Sequence, residues 1–206
     1  MAYKIVYKAV SAILALCVIP IAVFAPMIQI VGDVSIVQYY VGEDVSLWDI
    51  YKLFFARGNT FSGFGAKMTE EVRATMPELI TAGSFLVLAL LLGIAVALVA
   101  IFCKKKLPTL LVSVGGCLSV VGLFLSFKQF AVPYLDGTID IGKLGLMEEG
   151  ILESIFSALI HLRTLQISSA GFLMFGAFLC VLLWTGAFML VEMGETPKNI
   201  NAKKHK

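Results

Sequence analysis

The sequence predicts an all-α membrane protein: a four-transmembrane-helix bundle with two outer loops that carry short amphipathic helices, and with a small β-hairpin as a candidate cap. Three observations point there. Hydrophobic residues make up 59% of the 206 residues and charged residues only 15%, with a mean hydropathy of +0.93, whereas soluble chains are roughly half apolar and about a quarter charged. Four runs carry no charge at all: Ala9–Val31, Leu79–Cys103, Leu107–Phe127 and Thr164–Val191. Each exceeds the roughly 20 residues that a helix needs to cross about 30 Å of hydrocarbon. Lys and Arg then concentrate between alternate runs, as loops on one side of a membrane require. The chain 1–206 is therefore expected to form a single polytopic domain, and a net charge of +2 gives no electrostatic footprint for nucleic acid.

The first run follows Lys4 and Lys8 and resembles a signal peptide as far as Val23-Phe24-Ala25. The apolar character continues past Ala25, and Pro26 would occupy the position after the cut, where proline blocks processing. The run is expected to be retained as a span, kinked at Pro20 and Pro26, with Gln29 at its outer boundary. Orientation follows from the basic residues. The first eight residues, Lys104-Lys105-Lys106 and the tail Glu192–Lys206 hold nine of the sixteen, in short segments. The long segments Gly32–Glu78 and Lys128–Arg163 hold the other seven. The dense side is expected to be cytoplasmic, which places both termini inside and both long loops outside, in a plasma membrane or a bacterial cytoplasmic membrane. The end of the tail, Pro197–Lys206, is expected to be irregular.

In the first outer loop Ser46-Leu47-Trp48-Asp49 fits a capping box. Leu47, Ile50, Tyr51 and Phe54 follow at helical spacing, Trp48 and Phe55 widen the apolar face, and Gly58 is a natural stop. These six apolar residues are the candidate partner surface, or an interfacial helix in the headgroup layer. Asn59–Gly65 reads as an aromatic, glycine-rich loop without the spacing or the lysine of a phosphate cradle. Thr75-Met76-Pro77-Glu78 is a second capping box, expected to open the second span. In the second loop, Tyr134–Leu144 can be laid against Tyr40–Ile50 as an aromatic, a Gly/acid turn and an alternating apolar pair. An amphipathic helix then follows with Ile151, Leu152, Ile155, Phe156 and Leu159 on one face. Two parallel helical hairpins, each with a strand–turn–helix cap, are the expectation. Four spans with a larger first loop resemble the claudins and their tetraspan relatives, and Ser46-Leu47-Trp48 looks like part of the claudin Gly-Leu-Trp signature. The first-loop cysteines of that family and the glycine before Leu-Trp are absent, so no junction-forming role follows from the resemblance.

Helices in lipid associate through close packing of small residues. Gly115, Ser119, Gly122 and Ser126 make a stripe on the third span, Gly93 and Ala97 a step on the second, and Gly176 stands four residues before Cys180 on the fourth. This is the candidate helix-packing seam, expected within one chain. Ser11, Ala15, Ala22 and Ala25 add a stripe on the first span. No ionisable side chain interrupts any run, which argues against a pump or a charged-substrate channel acting alone. Cys17, Cys103, Cys117 and Cys180 have no C-x-x-C spacing and are expected to be small buried hydrophobes. His161 and His205 fall on opposite sides and share no metal site.

No catalytic residue, cofactor or metal is called for. The expected function is that of a non-enzymatic accessory or assembly subunit, whose partners are the lipid bilayer and another membrane protein or a second copy of itself. A subunit of an oligomeric channel or transporter is the alternative, with Gly115–Ser126 as its candidate polar stripe. An intramembrane lipid-acting enzyme, built on Glu148, Glu149 and Glu153 beside His161, ranks last.

Overall fold

The computed structural model describes residues 2–34, 39–48, 74–138 and 160–203. Within them the elements run α1 (Ala2–Leu16), α2 (Val18–Phe24), β1 (Pro26–Val34), β2 (Tyr39–Ser46), α3 (Met76–Phe102), α4 (Leu107–Leu135), β3 (Ile160–Ile167) and α5 (Ser169–Lys203). Among the described residues four helical segments are long and apolar enough to cross a membrane: Tyr3–Phe24, Met76–Phe102, Leu107–Leu135 and Ser169–Glu192. The chain is thus compatible with a multi-pass membrane protein.

The first span ends at Phe24, seven residues before the apolar run does. Proline supplies no amide and pushes the residue before it out of the helical region, and Ala25 is extended at φ −75 ψ 152. The β-branched Ile28, Ile30 and Val31 that follow suit a strand. Pro26 therefore terminates the helix instead of kinking it. Near Pro20 the axis is interrupted at Cys17, although the amide of Cys17 still reaches the Ile13 carbonyl at 3.0 Å and that of Ile21 reaches the Cys17 carbonyl at 3.1 Å. The fourth span starts late for a similar reason. Its first apolar residues belong to β3, and helix begins only at Ser169. At its other end α5 continues to Lys203, so the tail is helical that far, where an irregular segment was expected.

The three strands form one antiparallel sheet in the order β2-β1-β3. Register pairs Ile28 with Val45 and Ile167, and Gln29 with Asp44 and Gln166. The sheet has one apolar face, where Ile167 is buried and Ile28 and Leu165 lean on the core. On the other face Gln166 Nε2 donates to Gln29 Oε1 at 2.8 Å and Asp44 is exposed. The cap is therefore a three-stranded sheet that joins strands from both loops, where a separate hairpin-like element in each was expected. Its central strand and one outer strand continue the bundle: β1 follows α2 after one residue, and β3 leads into α5 through Ser168, whose amide donates to the Met27 carbonyl at 2.8 Å.

Among the described residues the two copies of the expected repeat begin differently. Tyr40 lies in β2, but Tyr134 lies in the last turn of α4, which runs on past Phe127 to Leu135 and ends where Gly137 takes φ +72. Thr75 is the N-cap of α3 but makes no capping hydrogen bond. Its hydroxyl instead shares a 2.9 Å bond with the Tyr134 hydroxyl, tying the start of α3 to the end of α4. The remainder of the loop helix after Trp48, the aromatic loop 59–65 and the helix at 151–159 lie outside the described residues.

The helices run alternately up and down, with α3 against α1 and α4, and α5 against α4 and α1. Small residues fill the interior of α3 (Ala82, Ala89, Gly93, Ala97 and Ala100), while Phe178 and Met174 of α5 are the largest fully buried side chains. Leu91, Leu98, Leu118, Leu125 and Leu183 are exposed on the outside of the bundle, which is compatible with contact to lipid.

Candidate functional site

Among the described residues, two places gather polar or interactive side chains: the lysine end of the bundle, where Lys104–Lys106 joins α3 to α4, and the sheet end opposite.

At the lysine end, two lysines tie all four helices together. Lys8 Nζ of α1 donates to the Ile101 carbonyl in the last turn of α3 at 2.5 Å. Lys106, the N-cap of α4, pairs with Glu192 of α5 at 2.8 Å and reaches the Phe188 carbonyl at 3.4 Å. Its ammonium also lies 5.0 Å from the Tyr7 ring centroid and 4.9 Å from that of Phe188. With only 9% of its side chain exposed, this cation is held by a carboxylate, a carbonyl and two aromatic faces. Trp184 and Tyr3 extend the aromatic cluster, with centroids 4.8 and 6.4 Å from Phe188.

Beneath Lys106 the interior is polar for two helical turns. Lys106, Thr109, Ser113 and Gly116 succeed one another at spacings of three and four on the inward face of α4. Tyr7 and Ser11 do the same on α1. Tyr7 and Thr185 hydroxyls approach to 3.4 Å, and Thr109 lies at the same depth, because Lys106 meets Phe188 and Gly116 meets Phe178 across antiparallel α4 and α5. Ser11 and Ser113 make a second tier one turn deeper. All five hydroxyl residues are buried. Ser113 donates to the Thr109 carbonyl at 2.8 Å, whereas Ser11 Oγ is fully buried and has no partner. The polar column stops where the Phe178 ring lies on Gly116 so closely that any side chain there would meet it.

The residues singled out in the sequence are spread differently. Gly93 faces α1, where a Cβ would lie 3.0 Å from the Ala15 carbonyl oxygen, and Ala97 is buried one turn on. Gly115, Ser119 and Gly122 flank α3: Leu92 lies over Gly115, the Phe85 ring covers Gly122, and Ser119 donates to the Phe85 carbonyl at 2.8 Å, while Ser126 is buried further along α4. Gly176 has nothing within 4 Å of where a Cβ would be, so it makes no close approach. Gly116 and Gly171, not singled out, are further tight contacts of α4 and α5, with Phe178 and with Ile167 and Phe124 respectively. Their glycine identity was the available signal, but which aromatic ring meets them is a long-range fact.

At the sheet end, Leu47 packs against the core and Trp48 is 41% exposed, its ring 6.0 Å from that of Phe24. Ile50, Tyr51, Phe54 and Phe55 lie outside the described residues. β2 is an edge strand among the described residues, and Ser168 Oγ donates to its Asp44 at 3.4 Å. His161 is placed opposite Asp33 in the β1–β3 register, whereas Glu148, Glu149 and Glu153 lie outside the described residues. Of the cysteines, Cys103 and Cys180 are exposed and Cys17 and Cys117 half-buried, which corrects the expectation that all four are buried.

Comparison with protein-family models, with curated proteins and with solved structures gives no match.

Proposed function

We propose that the chain is a non-enzymatic four-span accessory or assembly subunit of another membrane protein. It would sit in a plasma membrane, or a bacterial cytoplasmic membrane, with both termini cytoplasmic and the sheet outside. The observation that carries this reading is the sheet standing on the bundle. Its strands β1 and β3 are direct continuations of α2 and α5, and its edge strand β2 runs straight into the exposed Trp48. An edge strand offers unpaired backbone groups to a partner, and an aromatic at a membrane boundary is a favoured contact. The leucine-rich outer faces of the helices offer further area to a partner's spans.

A photo-crosslinking residue placed at Trp48, in cells that make the chain, tests the reading. One discrete adduct with a different membrane protein is expected, absent when the probe is moved to the lipid-facing Leu98. Adducts with lipid alone would contradict it.

The second reading, a subunit of an oligomeric channel or transporter, is favoured by a different observation: the two buried tiers of hydroxyls at the lysine end. They replace Gly115–Ser126 as its candidate polar path, since that stripe is packed against α3.

A further inference from the structure

The polar column has a lid, a floor and one unsatisfied group. Its lid is Lys106, bound to Glu192 and lying over the Tyr7 ring. The floor is Phe178 on Gly116. Between them lie Tyr7, Thr109 and Thr185 in one tier and Ser11 and Ser113 in the next, about 10 Å from Lys106 to Ser113 at 1.5 Å per residue. A hydroxyl taken out of water with no partner is costly in a low-dielectric interior. Ser11 Oγ is such a group, at 0% exposure. Past Phe178 the column gives way to buried Val120, Leu123 and Met174, and buried hydroxyls beyond it have partners elsewhere: Ser119 donates to the Phe85 carbonyl, and Thr75 bonds Tyr134 at the other end.

We propose that the two hydroxyl tiers form a water-binding vestibule, entered from the lysine end when the Lys106–Glu192 pair separates and closed in depth by Phe178. Water reaching Ser11 supplies the partner that its hydroxyl lacks, and Tyr7, Thr109 and Thr185 line the way in. Lys106 closes the mouth because its ammonium is shared between α5 and the Tyr7 ring. Removing the charge of Glu192 leaves the cation one carbonyl and two rings, and the mouth opens more often. The inference is independent of any partner protein.

The test is cysteine accessibility of the full chain in nanodiscs, which expose both ends of the bundle. In a background with Cys17, Cys103, Cys117 and Cys180 replaced, single cysteines go in as Ser11→Cys, Ser113→Cys and, beyond the floor, Val120→Cys. Each is treated with a charged, membrane-impermeant thiol reagent, with and without Glu192→Gln. The expected result is that Glu192→Gln raises the labelling rate of Ser11→Cys and Ser113→Cys about ten-fold or more, the factor that one lost charge-assisted hydrogen bond implies. Val120→Cys stays unlabelled in both backgrounds. An unchanged rate at Ser11→Cys and Ser113→Cys would overturn the proposal and leave the hydroxyls as helix-packing contacts. Equal labelling of Val120→Cys would also overturn it, since the substitution would then have loosened the whole bundle.

Discussion

At Gly116 the absence of a single methyl group decides how closely α4 and α5 approach. Phe178 occupies the space where a Cβ would stand, so Gly116→Ala forces a buried ring out of its place. A loss of about 1–3 kcal/mol is expected, the usual range for overpacking, read as a lower midpoint in thermal unfolding in detergent. Gly176→Ala meets nothing within 4 Å and is expected to change stability by less than about 0.5 kcal/mol. Thr75 and Tyr134 make a second residue-scale test. Thr75→Val and Tyr134→Phe each remove one hydroxyl of the same buried 2.9 Å bond, and each is expected to cost about 0.5–1.5 kcal/mol. The double variant should cost clearly less than their sum, the mark of a shared interaction in a double-mutant cycle. Little of this scale was legible in the sequence. Glycines and hydroxyls are visible as letters, but the ring that covers Gly116 is some sixty positions away. Lys106 sits just outside an apolar run, where a basic residue reads as ordinary topological charge; that it is nine-tenths buried under Tyr7 depends on three helices meeting.

Helix and strand boundaries show where local chemistry overrides an apolar run. Hydropathy alone carries the first run to Val31, yet Pro26 and the branched residues after it turn those positions into β1. Hydropathy also ends the third span at Phe127, yet Lys128 and Gln129 lie on the exposed side of a helix that continues to Leu135. A charge ends a hydrophobic run without ending a helix. What ends this one is Gly137 in the left-handed region, and Gly137→Ala is expected to cost about 1–2 kcal/mol in thermal unfolding, although nothing crowds the site. The sheet was the least legible element. Its central and outer strands come from the two ends of the chain, and β3 was disguised as the start of a span because Leu165 and Ile167 are as apolar as the helix that follows.

For the whole molecule, four helices long and apolar enough to cross a membrane were readable from length and charge exclusion alone, because lipid imposes a minimum run that few other structures need. The orientation proposed from the basic residues has its own check. Reporters fused after Lys206 and inserted at Lys105 should both read cytoplasmic, and an external signal at either point would reverse the assignment. The candidate surface at Trp48 was partly readable as an aromatic on a capped turn, but the platform under it was not, since strand pairing between distant loops leaves no local signature. The accessory-subunit reading is tested most directly by the native mass and composition of the full chain purified from its own membrane in gentle detergent. The account predicts a stoichiometric complex with a different membrane protein, which dissociates or weakens with Trp48→Ala. A lone chain, or a homo-oligomer with no second component, would contradict it.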